Sequence, residues 1–327
     1  MRNKPLIFTV ILTAVLVALA LNMRGQDRVV DLSSRDLLSP MQEKQLPRLE
    51  RISLMRGEGQ VELAQYDGNW GVVSHAGFPV QQERLAALLH ALRGARVVEE
   101  KTSNPEHHAR LGLEVAADSE ALQVSLHTPE LDFGVIYGNR VGNGQLVRFI
   151  DDDQVLLLNR PLSISVSPLD WLALNVIDIP MQQVATARWT HADGETLELD
   201  KRAEGDYNLR LVGLEDGQQG GNERWINSMV LALINLTAQN VALREDLVLA
   251  EPMLRMQVTT WSGAELAASL HDIEGRYWLL IDDYKAAEAD AEADQLQVNA
   301  NPRWAYQVGI GQVENLNKRQ ADIVRAQ

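Results

Sequence analysis

The chain has 327 residues, 46 % of them hydrophobic, enough to bury a sizeable core and to exclude disorder as a whole-chain description. Lysine and arginine number 30 against 45 aspartates and glutamates, a net charge of −15 that argues against nucleic acid or anionic lipid as a partner. The chain has no cysteine, which excludes disulfides, thiolate metal sites, cysteine nucleophiles and an acylated lipoprotein cysteine.

Residues 5 to 21, "PLIFTVILTAVLVALAL", are uncharged. With Asn22 and Met23 the run would form about 28 Å of helix, just long enough to cross a bilayer. Arg2 and Lys4 precede it, so the positive-inside tendency leaves residues 1–4 as a cytoplasmic tail. The expectation is a transmembrane anchor over 5–23 in the bacterial inner membrane, with the bulk of the chain periplasmic. A cleaved signal peptide is the competing reading, because "ALA" at 18–20 fits a small-x-small cleavage pattern. The run exceeds a usual signal core, which favours the anchor, and both readings place the bulk of the chain in one compartment. Residues 24–48 are polar, carry Pro40 and Pro47 and show no sustained period. They read as a stalk.

From residue 61, "VELAQYDGNWGV" alternates apolar and polar residues, breaks at Asp67-Gly68-Asn69 and resumes at Trp70. That is the pattern of strand, tight turn and strand. Leu85, Leu88, Leu89 and Leu92 then recur at i, i+3, i+4 and i+7, one face of a helix. "LQVSL" at 122–126 opens a meander that continues through "LDFGVIYG", "QLVRFI" and "QVLLL", and "PLDWLALNVIDIP" closes it as a helical-looking piece. The series then recurs. "LELDKRAEGDYNL" at 197–209 repeats the hairpin, Ile226, Met229, Val230 and Leu233 repeat the helical spacing, and "MQVTT" at 256–260 opens a second meander. It runs through "AELAASL", "RYWLLI" and "RWAYQV" to a terminal "VENLNKRQADIV". The predicted fold class is α+β: an N-terminal transmembrane helix, then two tandem repeats of β-hairpin, helix, antiparallel β-meander and terminal helix over 49–181 and 182–327.

Chemical signatures are sparse. His107 and His108 are adjacent and so point different ways, unlike a metal face. "GNRVGNG" at 138–144 lacks the lysine and hydroxyl of a phosphate loop and joins two strands, so it reads as a hairpin loop. Asp151-Asp152-Asp153 lacks the spaced oxygens and closing glutamate of a calcium loop and reads as a solvated turn. The acidic, alanine-rich run "DDYKAAEADAEAD" at 282–294 reads as an exposed insertion in the second meander. The seven tryptophans stand mostly where core packing explains them, with a carbohydrate-stacking face as the other use of such rings. No serine sits in a nucleophile elbow. The sequence nominates no catalytic, cofactor-binding or metal-binding residue and calls for no cofactor.

The succession "LERISLMRGEGQVELAQYDGNWGV", "FPVQQERLAALLHALRGARVVE", "HARLGLE" and "YGNRVGNGQLVRFIDDDQVLLLNRPL" resembles the bacterial envelope proteins grouped as domain-of-unknown-function family 4340. The likeness covers most of 49–181 and, more faintly, the second copy, whose acidity departs from the pattern. It rests on scaffold motifs and carries no catalytic signature. The resemblance implies an anchored extracytoplasmic accessory role beside ABC-2-type transporters and gliding-type auxiliary proteins. The expected function is therefore a non-enzymatic, membrane-anchored periplasmic binding module, with the inner membrane and a transporter permease as partners. The alternative is an envelope hydrolase or a solute-binding protein with its site between the two repeats.

Overall fold

The computed structural model describes residues 34–213, 218–219, 223–287 and 296–326. The chain divides into two compact units, Met1–Leu49 with Met55–Glu58 and Leu88–Ile164, and Glu50–Leu54 with Gly59–Ala87 and Ser165–Gln327.

The first unit opens on β1 (Arg35–Asp36) and a short helix α1 (Pro40–Gln45). Ser39 starts that helix with a capping box. Its hydroxyl accepts from the Gln42 amide at 3.3 Å, the Gln42 side chain accepts from the Ser39 amide at 2.8 Å, and Pro40 occupies the first turn. Leu37, Leu38, Leu46 and Leu49 are buried, so apolar burial as well as capping holds this segment. The chain then passes through β2 (Arg51–Arg56), β3 (Gly59–Tyr66), β4 (Asn69–Val72), β5 (Phe78–Pro79) and helix α2 (Gln82–Arg93). It continues in the first unit with β6 (Arg96–Glu100), β7 (Leu122–His127), β8 (Asp132–Val141), β9 (Gly144–Phe149) and β10 (Leu156–Leu158). The neighbour order here is β1-β6-β10-β9-β8-β7, all antiparallel. Strands β7 to β10 form a meander, and the strand preceding it in sequence, β6, pairs with its last member. Residues 101–121 must therefore cross the sheet. Leu113 and Ala121 of that connection are buried with Ile136, Leu146 and Val155 in a small separate core.

In the second unit β3 and β4 form the hairpin that the sequence announces, with Leu63 opposite Val72. Asp67 (φ 50°) and Gly68 (φ 83°) both occupy the left-handed region, as a two-residue turn matched to strand twist requires. Phe78 of β5 meets Trp304 edge-on, with ring centroids 5.2 Å apart and planes at 82°. Beyond Ser165 come β11 (Asn175–Asp178), β12 (Val184–His191), β13 (Thr196–Asp200), β14 (Arg210–Leu211), β15 (Gln218–Gln219) and helix α3 (Glu223–Ile234). Then follow β16 (Asn235–Thr237), β17 (Asn240–Leu243), β18 (Leu254–Thr260), β19 (Glu265–Ile273), β20 (Arg276–Lys285), β21 (Gln297–Val298) and β22 (Trp304–Val308). The unit ends in α4 (Ile310–Leu316), α5 (Gln320–Ile323) and β23 (Arg325–Ala326). The main sheet has the order β14-β13-β12-β18-β19-β20-β22-β17. Its meander, too, pairs its last strand with the strand that precedes it, here β17, and Leu247 and Leu249 of the crossing connection pack against Trp278, Leu280 and Ala305. Smaller pairings join β16, β11 and β21, and β15 with β23.

These elements correct the predicted fold class. The protein is mostly antiparallel β-sheet, with 41 % of the described residues in strands and 22 % in helical turns of any kind, rather than α+β. The piece 168–180, expected to be a terminal helix, is a 3-10 turn (Pro168–Trp171) followed by β11. β-Branched Val176 and Ile177 are buried there on a strand, and Pro180 bars helical continuation from Ile179. Among the described residues no helix is long and apolar enough to cross a membrane. The anchor expected over 5–23 lies outside the described residues, as does 288–295 of the acidic run.

Candidate functional site

Helix α3 places the most developed candidate site. Its sequence, ERWINSMVLALI, buries Ile226, Met229, Val230 and Leu233 at helical spacing. Arg224, Ser228 and Leu231 project from the opposite side, and Trp225 lies about a quarter-turn off the buried stripe. Trp225 remains 45 % exposed.

A groove of 640 Å³ runs between this helix and the loop after β13, lined by Tyr207, Asn208, Glu223, Arg224, Asn227, Ser228 and Leu231. The loop is built by local bonds. Gly205 takes a positive φ of 87°, and Asp206 accepts from the Ala203 amide at 3.2 Å. Lys201 is buried, its ammonium donating to the Met181 carbonyl. Burial lowers its pKa, and Asp206 opposes that shift. A chain of hydrogen bonds then ties loop to helix. Asn208 donates to Glu223 at 2.6 Å, Asn227 donates to Asn208 at 2.7 Å, and Asn227 accepts from the Leu209 amide at 3.0 Å. Buried Asn227 is thus used as both donor and acceptor, so its polar burial is compensated.

On the other side of the Arg224–Ser228 ridge a second groove, 420 Å³, is lined by Arg224, Trp225, Ser228 and Asn315. Helix α4 forms its wall and is pinned to α3 by Gln312, which donates to the Ala232 carbonyl at 2.7 Å. The Lys318 ammonium sits 4.4 Å from the centroid of the Trp225 ring. Lys318 is 9 % exposed and forms no ion pair among the described residues. A cation over an aromatic face is attracted by the ring quadrupole, by about 0.5–2 kcal/mol.

The segment carrying Lys318 is clamped. His191 is buried and its Nε2 donates to the Lys318 carbonyl at 3.1 Å, while its Nδ1 has no partner among the described residues. Arg319 donates to both Asp193 and Glu195 at 2.6 Å, and the Gln320 amide donates to Glu195 at 2.7 Å. The Asp193 carboxyl is held below its ordinary range, chiefly by the Glu195 backbone amide and then by Arg319.

The residues inspected for chemistry in the sequence lie elsewhere. His107 ends a 3-10 turn, and buried His108 donates from Nε2 to the Asp153 carbonyl at 3.1 Å, so the two rings do not converge. Asp152 accepts from the Gln154 amide at 3.0 Å, a local turn bond, with Asp151 to Asp153 all exposed. Among the described residues no group of three His, Cys, Asp or Glu side chains could hold a metal ion. The glycines of 138–144 serve packing. A Cβ on Gly138 would meet the Leu111 carbonyl oxygen at 2.6 Å, and one on Gly144 would meet that of Leu158 at 2.3 Å. One serine–histidine pair occurs on β19. His271 donates from Nδ1 to the Ala250 carbonyl at 3.0 Å, which leaves Nε2 to accept from Ser269 at 3.1 Å. Both are buried beneath the connection 244–253, so the pair latches that connection to the sheet.

The sequence missed Tyr207 and Trp225 as site residues. Tyr207 lies in the stretch 197–209 expected to repeat the hairpin, but the return strand β14 starts only at Arg210, and Tyr207 stays 49 % exposed in the loop. Trp225 offered a signal in its helical phase, off the apolar stripe.

A family model described as Domain of unknown function (DUF4340) matches residues 70–252, more than half of the chain. This chain belongs to the DUF4340 family. No curated protein and no solved structure matches it. The DUF4340 match takes in Tyr207 and the whole of α3 but stops short of Asn315 and Lys318, so the second groove draws one wall from outside the matched stretch.

Proposed function

We propose that this DUF4340 protein is a non-enzymatic binding module of the bacterial envelope, anchored to the inner membrane through the apolar run 5–23 and working beside an ABC-type transporter complex. The observation that carries the reading is the solvent face of α3, where aromatic, amide and cationic side chains line two adjoining grooves. Such groups recognise and orient a ligand. The uncharged run behind Arg2 and Lys4 supports the membrane location, and the net charge of −15 suits a soluble exported body. Tethering would raise the local concentration near a membrane partner, so modest affinity would suffice.

The test is recovery of the full-length chain from its native membranes in mild detergent, with mass spectrometry of the proteins that accompany it. A permease and ATPase in stoichiometric amount are the expected result. Recovery of the chain alone, or from the soluble fraction, would overturn the proposal.

A further inference from the structure

In the first unit, the connection 101–121 and strands β7, β8 and β9 together line a pocket of 430 Å³, a size that suits a small ligand. Its apolar lining is Val115, Ile136 and Ile150, part of the small core around Leu113. Arg148 lines the same pocket with its orientation set by the chain. Its Nε donates to the Leu113 carbonyl at 3.3 Å, and its Nη1 donates to the Phe149 and Ile150 carbonyls, both at 3.1 Å. A guanidinium has five N–H donors, so the two on Nη2 are left over. All three partners are neutral carbonyls, and no carboxylate pairs with Arg148 among the described residues. Glu114 also lines the pocket, is exposed, and forms neither a hydrogen bond nor an ion pair among the described residues. Two opposite charges thus share one pocket without pairing with each other. Two neutral acceptors accompany them. Buried His108 donates from Nε2 to the Asp153 carbonyl at 3.1 Å, which leaves the lone pair on Nδ1. Gln123 spends its amide nitrogen on the Ser125 hydroxyl at 3.1 Å, which leaves its carbonyl oxygen. With Glu114 these make three acceptor side chains, one for each N–H bond of an ammonium.

We propose that this pocket binds a free α-amino acid with an aliphatic side chain. The carboxylate meets Nη2 of Arg148, the ammonium is shared among Glu114, His108 and Gln123, and the side chain packs on Val115, Ile136 and Ile150. A zwitterion makes charge-assisted hydrogen bonds to both charges at once. A lone anion would also face Glu114, and a lone cation would also face Arg148. The pocket belongs to the first unit and α3 to the second, so amino-acid binding requires neither the α3 grooves nor a transporter partner, and either reading can fail while the other stands.

The experiment titrates the full-length chain in detergent micelles with L-leucine, with isocaproate, which lacks the amino group, and with isoamylamine, which lacks the carboxylate. Binding is read by calorimetry and saturation-transfer difference NMR. The expected result is at least tenfold tighter binding of leucine than of either analogue. Glu114→Gln, at an exposed position, should weaken leucine at least tenfold and leave isocaproate no weaker. Arg148→Gln should weaken leucine at least tenfold and leave isoamylamine no weaker. If Arg148→Gln fails to fold, Glu114→Gln and the ranking of the analogues decide. Glu120→Gln, exposed on the same connection but outside the pocket lining, should leave all three constants unchanged. Leucine binding no tighter than either analogue, undiminished leucine binding in Glu114→Gln, or no binding of leucine by the wild-type chain would overturn the proposal.

Discussion

Asn227 shows how much of the site depends on single polar atoms. Its amide holds the Leu209 amide and the Asn208 side chain, so Asn227→Leu would leave both without that partner. The expected cost is about 1–3 kcal/mol, read as a lower denaturation midpoint with unchanged slope. Arg319 gives a pH prediction. The folded Asp193 carboxyl lies below its ordinary value of 3.8, so its stabilising contribution is present at neutral pH. That contribution is lost as pH falls from the ordinary value through the depressed folded one. Acid unfolding should accordingly be shallower in Asp193→Asn over that range. At this scale the sequence was least informative. Trp225 and Lys318 are 93 positions apart in sequence, and nothing local to either announces the other. Their meeting depends on how α3 and α4 pack.

The hairpin at Gln65–Asn69 was legible because its turn chemistry is local: Asp67 and Gly68 supply the two positive φ angles that the connection needs. The helical face of α3 was legible for the same reason, since its period is written in consecutive residues. The segment before Pro180 was misread because aspartate and apolar residues suit a helix or a strand, and pairing of β11 with β16 decided for the strand. Three predictions belong to elements. Gly144→Ala places a methyl 2.3 Å from the Leu158 carbonyl oxygen, where β9 and β10 pair, and should cost about 1–3 kcal/mol or more. Gly311→Ala, on an open face of α4, should be neutral or stabilising by up to about 1 kcal/mol. Both are read from chemical denaturation. The third prediction concerns the latch over 244–253. Burial lowers the His271 pKa below 6.5, against the opposing pull of its bond to Ala250 and of Asp282, while Arg244 and Arg255 lower it further. The folded state thus favours neutral imidazole, and the associated stability is lost as pH falls below 6.5. Hydrogen exchange across 244–253 should accelerate between pH 7.5 and 5.5 beyond the intrinsic pH trend, and His271→Gln should remove that dependence.

For the whole molecule, the amino-acid order by itself determined the period of each segment and the places where turns fall. Alternation, helical spacing and glycine-bearing turns act between residues a few positions apart, so they survive in one dimension. The sequence also determined the formal charge and the absence of thiol chemistry. Tertiary structure alone decided the balance toward β-sheet, because a short apolar run becomes a strand only when a partner strand accepts its backbone groups. It alone decided that β6 and β17 pair with the last strand of the meander each precedes. It also decided the α3 grooves. Burying Ile226, Met229, Val230 and Leu233 fixes the rotation of the helix, and that rotation leaves Trp225 exposed beside the ammonium of Lys318.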